Sequence, residues 1–256
     1  MISTIAAKEL KALFASPLAW IVLAAVQLIA GYAFLKRLDD FLQVQPQLVQ
    51  LASPPGVTEL VVAPLFATTA IMLMFVVPLL GMRSIAEERR NQTMVLLTSA
   101  PVSMTQIVLG KFLGLVLFLA LIVAFVTAMP LALSASTTLD YGLIASLCGG
   151  VLLIAACFAA VSLYISALTT YPMVAAFGGF ATLLLMVLMG EAAGDGLRAR
   201  GWHLPAALAQ VFSPLKNFEP LGKGLVDTSA IACSLLLTVF FIVLTVRHLD
   251  GRRLRG

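Results

Sequence analysis

The sequence predicts an all-α polytopic membrane protein with six transmembrane helices and with both termini in the cytoplasm. Hydrophobic residues make up 61% of the 256 residues and charged residues only 11%, whereas soluble globular chains carry about 25% charged residues. The apolar residues collect in runs long enough to cross a bilayer. Because these runs use up the chain, no room is left for a soluble domain of even about 50 residues. We therefore expect one transmembrane domain over residues 1–256.

The N-terminal segment, residues 1–17, is predicted to form a helix that lies on the membrane. Its apolar side chains, from Ile2 to Phe14, recur at helical spacing, while Lys8 and Lys11 fall on the opposite side. Amphipathic helices of this kind bind in the membrane interface. A plain tail with chance periodicity is the alternative, since isolated helices this short are marginal in water.

Six apolar runs follow, and each is predicted to form one span. The first run, 18–35, covers about 27 Å at 1.5 Å per residue, which is close to the thickness of the hydrocarbon layer. It is longer than the apolar part of a cleavable signal, about 7–15 residues, so we expect it to be retained. A polar loop that begins at Lys36 is expected after it. The remaining predicted spans are 60–82, 112–133, 142–168, 173–189 and 231–246.

The charge distribution predicts the orientation, because lysine and arginine accumulate in cytoplasmic loops. We place the N-terminus, the segment 83–111, the turn 169–172 and the C-terminus inside. That side then holds ten of the 16 basic residues but only four of the 12 acidic residues. The C-terminal arginines are expected to contact anionic membrane lipid, with docking to a cytoplasmic partner as the alternative. They are Arg247, Arg252, Arg253 and Arg255.

The segment 83–101, here called the connector, is the densest charge cluster away from the C-terminal end. Its charged side chains cannot lie in hydrocarbon, where each arginine costs about 2.5–3.5 kcal/mol. The connector is therefore expected in water at a membrane face. Arg83 and Glu87 are four residues apart, and Glu87 and Arg90 are three apart. A helix would bring these opposite charges together.

The second half of the connector predicts a docking surface. Thr93 is a candidate N-cap for a short helical turn that ends before Pro101. The apolar side chains of this turn have no membrane to enter, which favours a groove on a partner protein. We predict that groove packing is made by Met94, Leu96 and Leu97, and polar docking by Glu87, Glu88, Arg89 and Arg90.

Several catalytic motifs are absent from the sequence. The ATP-binding loop G-x-x-x-x-G-K-[ST] is not completed at Gly110-Lys111 or at Gly222-Lys223. The sequence also lacks H-E-x-x-H and G-x-S-x-G, and its three cysteines all fall in apolar runs. We therefore expect no catalytic residue, cofactor or metal in this chain, and no nucleic-acid partner.

The predicted spans contain no Asp, Glu, Lys, Arg or His, which disfavours a proton- or ion-coupled carrier. An uncharged lining suits a hydrophobic or amphiphilic cargo. Pairs of small residues four apart predict close helix packing, either within the bundle or with a second copy of the chain. They are Gly110 with Gly114, Ala156 with Ala160, and Ala175 with Gly179.

The connector sequence AEERRNQTMVLLTSAPVSMTQIVLGK resembles the coupling helix region of type-2 ABC transporter permeases, which seats on a cytoplasmic ATPase. Glu88, Thr93 and Pro101 fall where the family pattern places them, as do Leu96-Leu97 and Gly110-Lys111. The sequence departs from the pattern at Gln92, where the family usually has glycine, and at Val95, where a second glutamate is common.

Three further segments are similar to the gliding-motility-associated subfamily of short permeases. They are FASPLAWIVLAAVQLIAGY, FSPLKNFEPLGKGLVDT and VRHLDGRRLRG. With the connector, these segments extend the resemblance over nearly the whole chain. The subfamily name does not show that this protein serves motility.

The resemblance implies a type-2 ABC exporter-like transmembrane domain in a bacterial cytoplasmic membrane. Its expected partners are a separate ATPase that binds ATP and Mg²⁺, a second copy or a related permease, and an accessory membrane subunit with an outside domain. It also implies that the outside segment 190–228 carries short helices that cap the transport pathway, with a plain interfacial linker as the alternative. Two other functions stay open: a scaffold that recruits a cytoplasmic partner without moving cargo, and an ion-coupled carrier.

Overall fold

The computed structural model describes residues 1–48, 56–92, 103–135, 137–190 and 212–253. Within these ranges the chain is helical and contains no strand. The helices are α1 (Ile2–Ala15), α2 (Pro17–Leu48), α3 (Ala63–Gly81), α4 (Met104–Leu131), α5 (Tyr141–Leu168), α6 (Pro172–Leu188), α7 (Pro214–Gly222) and α8 (Thr228–Arg253).

Five helices of the described chain are long and apolar enough to cross a membrane, namely those that contain α2, α3, α4, α5 and α8. Helix α6, which coincides with the predicted span 173–189, is apolar but has only 17 residues. The structure therefore supports a multi-pass membrane protein with five candidate spans. The sixth span and the orientation of the termini stay predictions.

Helix α2 differs from the sequence-based expectation of a short span followed by a polar loop. It continues from Pro17 to Leu48, past Lys36 and two aspartates. Neither glycine nor proline occurs between residues 32 and 45, so nothing in the backbone ends the helix there. The side chain of Arg37 also holds this part in place, because its Nη2 donates to Thr68 Oγ1 of α3 over 2.8 Å. The helix is about 48 Å long.

Helix α5 lies at the centre of the bundle and packs against α3, α4, α6, α7 and α8. In its most apolar stretch 61% of the residues are buried, compared with 22% in α2. Small side chains make this central position possible, because Ala155, Ala159 and Ala160 are all fully buried and let neighbouring helices approach. Helix α2 instead exposes large apolar side chains such as Leu28 along its length.

The short helix α7 packs against the first half of α5. A Cβ placed on Gly150 would lie 2.8 Å from the ring of Phe218, so only glycine allows this approach. Ser146 Oγ donates a hydrogen bond to the backbone oxygen of Leu221 over 3.0 Å. One short helix is thus present in the segment 190–228, where short helices were predicted. Whether it caps a pathway stays a prediction, and residues 191–211 lie outside the described part.

The connector follows the C-terminal end of α3 in the chain. A π-helical turn, Arg83–Glu87, follows α3 and continues into one α-helical turn, Glu88–Arg90. After the part that is not described, α4 starts at Met104, where Ser103 and Gln106 form a reciprocal capping box. The end of the bundle that carries α1 and residues 83–92 is called the connector end below, and the opposite end is called the far end.

Candidate coupling site

The π-helical turn of the connector is bound to the last turn of α5. Ser166 Oγ accepts hydrogen bonds from the backbone N–H groups of Ile85, at 3.3 Å, and of Ala86, at 3.0 Å. It also donates to the backbone oxygen of Met82 over 3.2 Å. Ile85 and Ala86 are fully buried. One buried serine of α5 therefore satisfies three backbone groups where α3 turns into the connector.

Two arginines of the connector reach neighbouring helices. Arg83 pairs with Glu87 over 2.6 Å and donates from Nη1 to Ser16 Oγ, between α1 and α2, also over 2.6 Å. Arg89 donates from Nη1 to the backbone oxygen of Ala167, at the end of α5. Through these bonds the connector contacts both the N-terminal helices and the central helix.

A buried lysine joins the connector to α1 and α4. Lys111 lies two turns into α4, and its side chain is 1% exposed. Its Nζ lies 2.7 Å from Glu9 Oε1 of α1 and 2.8 Å from Glu88 Oε1 of the connector. The same atom donates to the backbone oxygen of Ser84 over 2.8 Å. All three N–H donors of the ammonium group therefore have an acceptor within hydrogen-bond distance.

Helix α1 reaches this cluster because two glycines of α4 let it approach closely. A Cβ on Gly110 would lie 2.6 Å from the side chain of Ile5, and a Cβ on Gly114 would lie 2.7 Å from Cβ of Glu9. The small-residue pair predicted from the sequence thus serves packing inside one chain. Helix α1 lies against the bundle, and its Lys8 and Lys11 are exposed.

The structure places the predicted docking residues in different surroundings. Three of the charged ones make contacts within the chain: Glu87 with Arg83, Glu88 with Lys111, and Arg89 with Ala167. Arg90 is exposed. The predicted cap and groove residues, Thr93, Met94, Leu96 and Leu97, lie outside the described part of the chain. Their assignment to an ATPase interface stays a prediction.

Sequence reasoning missed the roles of Lys111, Glu9 and Ser166. Two signals were available in the sequence: Lys111 interrupts an apolar helix between Gly110 and Gly114, and Glu9 is the only acidic residue of the N-terminal helix. Neither signal identifies the partner, because Glu9 and Lys111 are 102 residues apart in the chain. Ser166 carried no signal, since a serine in a membrane helix commonly bonds within its own helix.

The contacts of the connector suit the transmission of movement between helices more than catalysis. Within the described residues no group of three or more His, Cys, Asp or Glu side chains could hold a metal ion. The charged groups of the connector bind one another and backbone oxygens. Their bonds join the connector to α1, α4 and α5, so a displacement of the connector would act on all three helices.

Gln92 has the backbone conformation that favours glycine. Its φ is 57°, the only positive φ of a non-glycine residue in the described chain. This left-handed conformation costs an L-residue roughly 1–2 kcal/mol. Gln92 is also the position at which the sequence departs from a glycine pattern, so a glycine here suits the backbone better than the residue present.

We expect Gln92→Gly to stabilise the connector turn by about 1 kcal/mol, because glycine adopts this φ without strain. Hydrogen exchange at the backbone amides of residues 83–90 would measure the change. Asn91→Gly is the matched control, since Asn91 has a φ of −85° and glycine relieves nothing there. Faster exchange in Gln92→Gly than in the unchanged chain would contradict the expectation.

The family of the chain follows from comparison with known proteins. A family model described as ABC-2 family transporter protein matches residues 3–250. A search of curated proteins finds no significant match. The matched region contains nearly the whole chain, including the connector, four candidate spans and all but the last residue of the fifth. The chain therefore belongs to the ABC-2 family of transporter proteins and is a multi-pass membrane permease component of an ABC transporter.

Proposed function

We propose that a separate cytoplasmic ATPase drives this permease by docking against the connector. Closure of the ATPase on ATP would displace the connector, and the helices bound to it would move as rigid bodies. ATP and Mg²⁺ would be held by the partner. The family implies such a partner in general, and the likeness of the connector to a coupling helix supports a contact at the connector.

The observation that carries the proposal is the attachment of the connector to three helices. Ser166 binds it to α5, Lys111 binds it to α4, and Glu9 completes the link to α1. Because these bonds fix the connector to the three helices, a displacement of the connector would be passed on to them. Coupling between distant sites can be carried by hydrogen-bond and salt-bridge networks that join rigid helices, and these contacts form such a network.

The outward side of the connector is the proposed docking surface. Arg90, Asn91 and Gln92 are exposed, and Leu96 and Leu97 follow them in the sequence. An exposed arginine beside apolar side chains is the composition common at protein interfaces. Glu87, Glu88 and Arg89 would then act as supports that hold the connector in place, and docking would rest on Arg90 and the apolar turn.

The surrounding assembly is proposed from the family and from charge. One chain would pair with a second copy or a related permease, in a bacterial cytoplasmic membrane. The connector end would face the cytoplasm because it carries most of the basic residues. An accessory membrane subunit is part of the proposal through the likeness to the gliding-motility-associated subfamily.

Purification of the tagged chain from its native membrane in a gentle detergent tests the docking surface. We expect an ATPase subunit to co-purify in stoichiometric amount and to be identified by mass spectrometry. Arg90→Glu and Leu96→Asp should each reduce its recovery by about tenfold or more, since truncating a central interface residue costs about 2 kcal/mol or more. Glu88 is a poor choice for this test because its loss would also affect Lys111.

Lys223→Glu is the control, because Lys223 is exposed at the far end and lines a different surface. Recovery of the ATPase should be unchanged in this variant. A wild-type preparation without ATPase, under conditions that preserve other membrane complexes, would contradict the proposal. Equal ATPase recovery from Arg90→Glu, Leu96→Asp and wild type would show that the ATPase docks on another surface of the chain.

Two measurements separate the other functions. A scaffold that moves no cargo predicts that ATPase turnover in reconstituted membranes never responds to lipid or cargo. An ion-coupled carrier predicts transport that survives ATP depletion and collapses with the membrane potential. The proposed permease predicts the opposite result in each experiment.

A further inference from the structure

A cavity of about 250 Å³ lies beside the connector, between α1, the start of α2, the end of α3 and α4. Pockets that enclose whole drug-sized ligands measure roughly 300–1,000 Å³. This cavity is smaller, so it suits one end of a larger molecule.

The cavity lining carries both signs of charge. Among the described residues that line it, three are basic and three are acidic: Lys8, Arg83, Lys111, Glu9, Glu87 and Glu88. A ligand with a single charge would meet groups of its own sign at close range, which is costly in a partly buried site. Arg83 already pairs with Glu87, and Lys111 with Glu9 and Glu88, so the lining as a whole is balanced in charge. A zwitterionic ligand keeps this balance.

The cavity lining also contains apolar side chains, some of them at the start of a candidate membrane span. They are Ala12, Leu13, Leu18, Ala19, Leu80 and Leu115. Leu18 and Ala19 belong to the first turn of α2, and the next residue, Trp20, is 55% exposed. Tryptophan is enriched at the depth where lipid headgroups meet acyl chains. The cavity therefore suits an amphiphile whose polar end enters it.

Ser84 adds a polar group that has no partner in the described structure. Its Oγ is buried, lines the cavity and makes no hydrogen bond with any described residue. Leaving a buried hydroxyl unsatisfied is unfavourable, so such a group is a candidate ligand contact. A hydroxyl can donate to a phosphate oxygen.

The lining also distinguishes between zwitterionic headgroups. No aromatic ring occurs among the described residues that line the cavity. Choline headgroups carry no N–H and are bound by aromatic cages. A primary ammonium instead carries three N–H donors, which carboxylates accept. The acidic lining with no aromatic ring favours the primary ammonium.

We propose that this cavity binds the headgroup of a membrane phospholipid of the phosphatidylethanolamine type. Glu9 accepts hydrogen bonds from the ammonium group, and Lys8 and Ser84 bind the phosphate. The lipid fills the space between α1, the connector and the first span, and so fastens α1 to the bundle. This inference does not depend on the proposed ATPase contact.

Native mass spectrometry of the purified chain tests the proposal. The chain is exchanged into mixed detergent micelles that contain equal amounts of dioleoyl phosphatidylethanolamine, phosphatidylcholine and phosphatidylglycerol. We expect one retained phosphatidylethanolamine per chain, in about tenfold excess over either other lipid, which corresponds to about 1.4 kcal/mol.

Two pairs of variants on α1 locate the binding. Ala12→Phe fills the cavity, whereas Ala7 is equally exposed on α1 but does not line it, so Ala7→Phe is the control. Lys8→Gln removes a phosphate contact, whereas Lys11→Gln removes an exposed lysine outside the cavity. Retention should fall by about tenfold in the first variant of each pair and stay unchanged in the second.

Three results would overturn the proposal. The first is equal retention of phosphatidylethanolamine within both pairs of variants, and the second is a preference for phosphatidylglycerol or phosphatidylcholine. The third is thermal stabilisation of the lipid-free chain by inorganic phosphate as large as that given by the lipid, which would assign the site to free phosphate. If Ala12→Phe does not fold, the lysine pair alone decides the outcome.

Discussion

Replacement of Lys111 with methionine should strongly destabilise the connector end of the chain. The substitution leaves Glu9 and Glu88 beside each other without the ammonium group that lies between them. Removing one partner of a buried ion pair costs about 3–5 kcal/mol, because the remaining charge stays desolvated. Both glutamates are partly exposed, at 16% and 18%, so we expect the lower part of this range.

Thermal unfolding in detergent, followed by intrinsic fluorescence, would measure the effect of Lys111→Met. Lys11→Met is the matched control, because Lys11 is exposed on α1 and surface substitutions usually change stability by less than about 0.5 kcal/mol. A triple variant that adds Glu9→Gln and Glu88→Gln should recover part of the loss, since it removes the two uncompensated charges. Equal unfolding temperatures for Lys111→Met and Lys11→Met would show that the contacts of Lys111 with Glu9 and Glu88 do not stabilise the chain.

A valine at Gly114 should detach α1 from α4. A Cβ at this position would lie 2.7 Å from Cβ of Glu9 and 3.1 Å from the backbone oxygen of Ala6, and neither can move without moving α1 itself. Overpacking of this kind costs about 1–3 kcal/mol. Trypsin cleavage after Lys8 and Lys11, which requires local opening of α1, should then accelerate by about 5- to 150-fold.

Gly149→Val controls for the lower helix propensity of valine. Gly149 is exposed on α5, and a Cβ there would meet no heavy atom within 4 Å. Cleavage after Lys8 and Lys11 should be unchanged in this variant. If Gly114→Val is cleaved no faster than Gly149→Val, α1 does not depend on the close approach at Gly114.

The sequence predicted the class of the protein and the main elements of its fold. Apolar runs are local features, because a helix must satisfy its own backbone hydrogen bonds in a membrane whatever its neighbours are. The runs at 60–82, 112–133 and 142–168 therefore correspond to α3, α4 and α5 of the structure. The end of α2 was missed because charged residues were taken as the start of a loop, although helices continue through charged residues that lack a glycine or proline.

The connector shows where sequence reasoning reached its limit. Its charges and its position could be recognised, and the permease family that it resembles is the family of the whole chain. Its role as a coupling helix stays a prediction. The partners of those charges could not be recognised. The contacts of Glu88 with Lys111 and of Ile85 with Ser166 join residues far apart in the sequence, and periodicity carries no information about such pairs.

The pair of Gly110 and Gly114 shows the same difference between what the sequence predicts and what the structure decides. The spacing of Gly110 and Gly114 predicted a close helix contact but left two partners open, another helix of the bundle or a second copy of the chain. The structure places α1 on this pair.

The sequence by itself therefore determined that the chain is a helical membrane protein, where its long apolar helices lie and which segment is charged. These properties follow from local composition and from the cost of placing polar groups in hydrocarbon. Only the tertiary structure decided that Lys111 binds Glu9 and Glu88, that Ser166 holds the connector, and that Arg90 is exposed, because these depend on which helices become neighbours when the chain packs.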